Sequence, residues 1–187
     1  VNCPQQLGIN PKNLEAWNLE REHDGFAHEA PVRGATNEWH TPSAIFEALG
    51  IEFDLDPCAP IDESKRTVPA KRFLTEKDDG LFSPWGLEEN AFVNPPYGPQ
   101  TARWISKLGL HGKGIALVFA RTDTKWFQDI GFLADAICFI RGRVQFLQED
   151  GTPGSGSSAG SCLIAWGEQN VQALKASNLG IVVELKL

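Results

Sequence analysis

The chain has 187 residues, 42% of them hydrophobic and 10% aromatic, and a formal net charge of -7. This length and apolar content fit one domain with one sizeable core, and no apolar run approaches the roughly 20 residues of a membrane helix. The acidic balance excludes a protein whose whole surface grips nucleic acid, because Lys and Arg supply most non-specific affinity for phosphate.

The first 30 residues lack the basic-then-apolar layout of a secretory signal, so a cytoplasmic location is the expectation. Charge is uneven: residues 1–38 hold three basic and six acidic side chains, leaving 14 against 18 elsewhere. Local basic groups (Lys65-Arg66, Lys71-Arg72, Arg121 with Lys125, Arg141 with Arg143) are able to build a modest positive rim around a cleft. The four cysteines, Cys3, Cys58, Cys138 and Cys162, are far apart and form no Cys-x-x-Cys. Free thiols are therefore expected in place of a zinc site or a disulfide framework.

Along the chain, residues 1–36 carry Pro4, Pro11 and Pro31 without a sustained period and read as an irregular or partly helical leader, with a single domain over 37–187. Thr41-Pro42 predicts an N-cap and a proline at the first helical position, with a short helix running to Leu49 and stopping at Gly50. Residues 51–56 alternate apolar and acidic side chains and predict a strand; 91–94, 114–120 and 136–140 are apolar runs that predict buried strands. Helices over 99–110 and 124–133 fit between them as crossovers. The fold class is α/β, with a mostly parallel sheet and right-handed connections. Strands over 143–147 and 161–166, flanking a Gly/Ser-rich loop at 148–160, predict a C-terminal hairpin and hence an antiparallel strand at the sheet edge.

Asn94-Pro95-Pro96-Tyr97 directly follows the apolar run 91–93. In open α/β sheets ligands bind beyond the carboxyl ends of strands, so this tetrapeptide is expected at a cleft mouth. Its composition suits a planar exocyclic amine such as N6 of adenine, whose lone pair is delocalised into the ring. An Asn oxygen and a Pro carbonyl that each accept one amine hydrogen draw the nitrogen toward tetrahedral geometry. Consecutive prolines fix φ and hold the carbonyl aimed, and the only tyrosine offers a flat face to a base. Upstream, Asp54 and Asp56 bring carboxylates to the end of a strand and a turn, where a cationic cofactor or a ribose hydroxyl is readily held.

Five short motifs stand in order between residues 39 and 166: Trp39-His40-Thr41-Pro42; Leu55-Asp56-Pro57-Cys58-Ala59; Asp79-Gly80-Leu81 with Trp85; Asn94-Pro95-Pro96-Tyr97; and Ala120-Arg121-Thr122-Asp123 before Trp126-Phe127. In this the sequence resembles the phage- and prophage-type, Dam-like DNA adenine-N6 methyltransferases of the Rossmann-like S-adenosylmethionine-dependent superfamily. The resemblance implies methyl transfer from S-adenosyl-L-methionine to adenine N6 in DNA, in a bacterial or phage-infected cell. It implies catalysis by Asn94, Pro95, Pro96 and Tyr97, with Tyr97 stacking on the target base. It implies cofactor contacts from Trp39, Thr41, Asp54, Asp56, Pro57 and Asp79. DNA contacts are expected from Arg121, Asp123, Trp126, Arg141 and Arg143, with no metal and a monomer as the default state.

The loop Asp56-Pro57-Cys58-Ala59-Pro60 departs from the usual glycine-rich cofactor loop. For the ribose, Asp62 and Glu63 are the candidates. A target buried in duplex DNA implies base flipping, and sequence selectivity is expected from residues 141–146 and the Gly/Ser loop. The same tetrapeptide also suits methylation of a glutamine amide or of guanine N2 in ribosomal RNA. A non-catalytic nucleic-acid-binding subunit with the same fold is a further alternative.

Overall fold

The computed structural model describes residues 39–148, 151, 152, 154 and 159–185. The expected leader, and much of the Gly/Ser loop, lie outside the described residues. The described chain folds as helix α1 (Ser43–Leu49), strands β1 (Phe53–Asp56), β2 (Ala70–Phe73) and β3 (Ala91–Val93), helix α2 (Thr101–His111), strand β4 (Gly114–Phe119), helix α3 (Lys125–Asp129), strands β5 (Ala136–Ile140) and β6 (Ser161–Trp166), helix α4 (Glu168–Ala176) and strand β7 (Gly180–Glu184).

One mixed sheet has the order β2-β1-β3-β4-β6-β5-β7. The strands β2, β1, β3 and β4 pair in parallel, whereas β6 is antiparallel to both of its neighbours, β4 and β5. Two reversals restore direction, so β5 runs the same way as β4, and both send their carboxyl ends to the end of the sheet where β1 and β3 finish. The strand after β1 lies on one side of it and β3 on the other. That reversal of winding opens a crevice beyond the carboxyl ends of β1 and β3.

Both faces of the sheet are covered, which is why the central strands read as continuous apolar runs. On one face α1 contributes Ile45, Phe46 and Leu49, and α4 contributes Val171, Ala173 and Leu174, against Phe53, Phe92, Ile115 and Leu163. On the other, Trp104, Ile105 and Leu108 of α2 and Phe127 of α3 pack on Leu55, Val93, Val118 and Ile164.

Expected and observed elements differ at identifiable points. Helix α1 begins at Ser43 with extended Pro42 as its N-cap, one residue later than expected; Gly50, at φ 62, closes it with its N–H on the Phe46 carbonyl. The expected helix over 124–133 is α3 followed by a 3-10 turn, Gly131–Leu133. Residues 143–147 form no strand and no hairpin with β6; only Leu147 pairs, with His40, in an isolated antiparallel bridge. The antiparallel strand β6 therefore lies inside the sheet, between β4 and β5, while the antiparallel edge strand is β7, paired with β5. No helix among the described residues is long and apolar enough to cross a membrane.

Candidate active site

A cavity of about 610 Å³ opens at the crevice, lined by the turn after β1, the loop after β2, the turn after β3 and the first half of α2. Its size is that of small-molecule sites. Of the expected site residues, the fold gathers Trp39, Pro57, Asp79, Asn94, Pro95, Pro96 and Tyr97 around it, with His40 beside them.

Asn94 follows β3 directly. Its Nδ2 donates to the Trp39 carbonyl at 2.8 Å, and a carbonyl can only accept, so this contact fixes which end of the amide is nitrogen. The other end, Oδ1, has no hydrogen-bond partner among the described residues. An amide acceptor is thus held in place and left unsatisfied in the cavity wall. The following turn is fastened to α2 by buried Thr101, whose Oγ1 donates to the Pro96 carbonyl at 3.4 Å and accepts from the Gly98 N–H at 3.3 Å. The Tyr97 ring is stacked on Phe119 at 4.2 Å and meets Phe146 edge-on at 6.0 Å. Phe119 covers one face of the tyrosine, so only the opposite face is left for a planar ligand.

Asp56 closes β1 immediately before the Pro57–Pro60 turn and is 3% exposed. One oxygen accepts the Cys58 N–H at 3.0 Å. Burial nevertheless pushes its carboxyl up to about 7, against the opposing effects of that hydrogen bond and the more distant Arg66. A carboxylate kept so poorly solvated gains strongly from a cationic neighbour. Asp54 points elsewhere: it binds Lys71 Nζ at 2.8 Å and the Asn90 N–H at 2.9 Å, contacts that hold it below the usual carboxylate range. It does not line the cavity, nor do Asp56, buried behind the Pro57 turn, and Thr41, which is 1% exposed.

The loop after β2 carries Thr75, Glu76, Asp79, Gly80 and Leu81 into the wall. Gly80 sits so close to the turn after β1 that a Cβ there would lie 2.2 Å from the Pro57 carbonyl oxygen and 2.8 Å from the Trp104 ring. Lys107 of α2 staples the loop by donating to the carbonyls of Gly80, Leu81 and Ser83 at 3.0, 2.9 and 2.6 Å. Its ammonium also lies 4.7 Å from the Trp85 ring centre. Burial lowers the Lys107 amine to about 8.

Four cavity residues escaped the sequence reading: Glu76, Gln100, Trp104 and Thr75. Glu76 was obscured because β2, with Lys71 and Arg72 at its centre, does not read as a strand. Gln100 and Trp104, with Lys107 beyond them, follow the i, i+4, i+7 spacing of one helix face, a signal present in the sequence. Trp104 is 6% exposed and its indole Nε1 has no hydrogen-bond partner among the described residues. The ribose candidates Asp62 and Glu63 lie outside the cavity, and Asp62 caps the 3-10 turn at Ser64 instead.

The expected DNA residues sit at the same end of the sheet but outside the cavity. Arg121 and Trp126 are half-buried, with Trp126 tilted against Phe127 at 5.2 Å; Asp123, Arg141 and Arg143 are exposed. Among the described residues no cluster of His, Cys, Asp and Glu has the makings of a metal site. The family model described as DNA N-6-adenine-methyltransferase (Dam) matches residues 31–180. No curated protein and no solved structure matches the chain.

Proposed function

As the chain belongs to the DNA N-6-adenine-methyltransferase (Dam) family, we propose that it transfers a methyl group from S-adenosylmethionine to the N6 amino nitrogen of adenine in DNA. The observation that carries this reading is the Asn94 amide, whose donor end is engaged by Trp39 and whose acceptor end is unsatisfied beside the cavity. An amine hydrogen is the natural partner for such an oxygen, because a buried acceptor left unpaired is costly. With the Pro95 carbonyl as second acceptor, the two N6 hydrogens are held and the nitrogen lone pair is turned away from the ring. Tyr97, backed by Phe119, clamps the base with its remaining face.

The cavity suits the donor. Its volume and its Trp39, Leu81 and Trp104 walls fit an adenosine, the orphaned Trp104 N–H offers that group a hydrogen-bond donor, and Asp56, buried one residue behind the lining residue Pro57, favours a positive charge on that side. S-adenosylmethionine supplies a methyl already activated on a sulfonium. Glu76 is the residue best suited to accept the ribose hydroxyls. It lies at the carboxyl end of the strand after the first turn, and the carboxylate that plays this part in dinucleotide folds stands about 20 residues beyond the phosphate turn. Asp79 serves the adenine end. Arg121, Arg141 and Arg143 are proposed to meet the DNA backbone or bases as the adenine leaves the stack.

The test is to incubate the protein with labelled S-adenosylmethionine and unmethylated DNA, digest to nucleosides and identify the labelled species by mass. N6-methyladenine is expected with the native sequence and is lost in Asn94→Ala, which keeps its affinity for the methyl donor by calorimetry. Label in protein glutamine or in RNA guanine would replace this reading with one of the other amide or amine methylations. Failure to bind the donor at all would point to a non-catalytic subunit.

A further inference from the structure

Beyond β5 the chain passes Gly142, at φ 81, and then alternates residue by residue: Arg143 and Gln145 are exposed, while Val144 and Phe146 are buried in the core shared with α1 and α4. The inner side of this strip is fastened to the walls of the site. Phe146 meets both Tyr97 and Phe119 edge-on, at 6.0 and 6.3 Å. Leu147 exchanges two backbone hydrogen bonds of 3.0 Å with His40, a cavity residue. The Phe146 carbonyl is taken by the Gly154 N–H at 2.8 Å, and Gly154 lies so close to Trp39 that a Cβ would come within 2.5 Å of its ring.

Alternation with period two is that of an extended chain, so Arg143 and Gln145 project to the same outward side with Cα atoms about 6.6 Å apart. That spacing matches two base steps of about 3.4 Å each. Resting on the DNA methylation argued above, we propose that Arg143 and Gln145 read base edges beside the target adenine, making this strip the part of the molecule that sets sequence preference. The chemistry is specific: a guanidinium pairs with guanine O6 and N7, and a glutamine amide with adenine N6 and N7. Gln145 is the telling member. It carries no charge to draw it to phosphate, yet it stands exposed next in the chain to Phe146, the ring set edge-on to Tyr97.

The experiment uses the full chain on a pool of duplexes in which the bases flanking a single adenine are randomised, and sequences the methylated fraction. The native protein is expected to favour particular flanks. In Gln145→Ala the preference at one flanking position relaxes by about 10-fold while the other positions keep theirs, and Arg143→Ala does the same at a different position. Both side chains are exposed, so the melting temperature should not change, and Gln145→Glu is expected to move the preference toward cytosine at its position. Unchanged preferences in both variants would overturn the inference. So would a uniform loss at every flank with a shallower salt dependence, the mark of phosphate contacts. Absence of N6-methyladenine from the native protein on the whole pool would instead remove the activity reading, and this inference with it.

Discussion

Asp56 is a buried acid whose ionisation the fold opposes, and its titration gives the site a pH signature. The carboxyl is raised from 3.8 to about 7 by burial, so the folded chain binds more protons than the unfolded one between those values. Stability from this group is greatest below pH 4 and falls as pH rises to 7, by up to ~4 kcal/mol over the full shift. Asp56→Asn should therefore melt close to the native protein at pH 4 and well above it at pH 8, as followed by thermal denaturation in the absence of donor. The same substitution should weaken donor binding most above pH 7, where the native carboxylate is charged. Glu76→Gln keeps the shape of its side chain and removes only the charge. The expected outcome is a KM for S-adenosylmethionine raised by about 10-fold with kcat nearly unchanged, the pattern of lost ground-state binding. A fall in kcat without a change in KM would place Glu76 with the chemistry instead.

Helix α2 is the element that ties the two halves of the site together. Its first turn is bound to the Asn94–Tyr97 segment through Thr101, and Trp104 and Lys107 further along it meet the loop after β2. Lys107→Met removes a donor shared by three carbonyls and frees that loop. Donor KM is expected to rise by about 10-fold while kcat at saturation is largely kept. Gly80→Ala should be harsher, because the clash is with backbone at Pro57 and the loop must move as a whole; calorimetry should find donor binding lost in a chain that still folds. Much of this was legible in advance. The strands β3, β4, β5 and β6 are apolar runs because both of their faces are covered, and the tetrapeptide after β3 lines the cavity where its place behind an apolar run predicts it. What stayed hidden was amphipathic or peripheral. In β2, Lys71 and Arg72 are satisfied laterally by Asp54 and Glu89, so the strand lacks an apolar signature. In β7, at the sheet edge, Ile181 and Val183 remain exposed, and α4 is a short helix of mostly polar residues. The strip after β5 misled for the opposite reason: its alternation imitates a strand, but its buried side packs on aromatic rings instead of belonging to a ladder.

For the molecule as a whole, the parallel strands and β5 deliver the groups that follow them to one end. Asn94 and Tyr97 follow β3, Arg121 follows β4, and Arg141 and Arg143 follow β5, so three arginines of an acidic chain stand at the end that holds the cavity. If Arg121, Lys125 and Arg141 neutralise phosphates and Arg143 reads a base, DNA affinity should fall with log salt at a slope of about -3, given roughly -0.9 per phosphate neutralised. Titration of a fluorescent duplex at several ionic strengths would measure it, and a much steeper slope would require cationic groups elsewhere. Sequence reading anticipated this end of the sheet but not how β6 reaches it. By running backwards between β4 and β5, β6 places its first residue beside the last residues of β5, with Phe139 opposite Cys162. Residues 141–160 therefore leave and re-enter the sheet at adjacent points on a rigid base. Lengthening a segment so closed costs little, about 0.6 kcal/mol for each doubling. Provided the anchors Val144 and Phe146 are kept, the segment is a natural cassette: a foreign stretch grafted between β5 and β6 should retarget the enzyme while the machinery around Asn94 stays as it is.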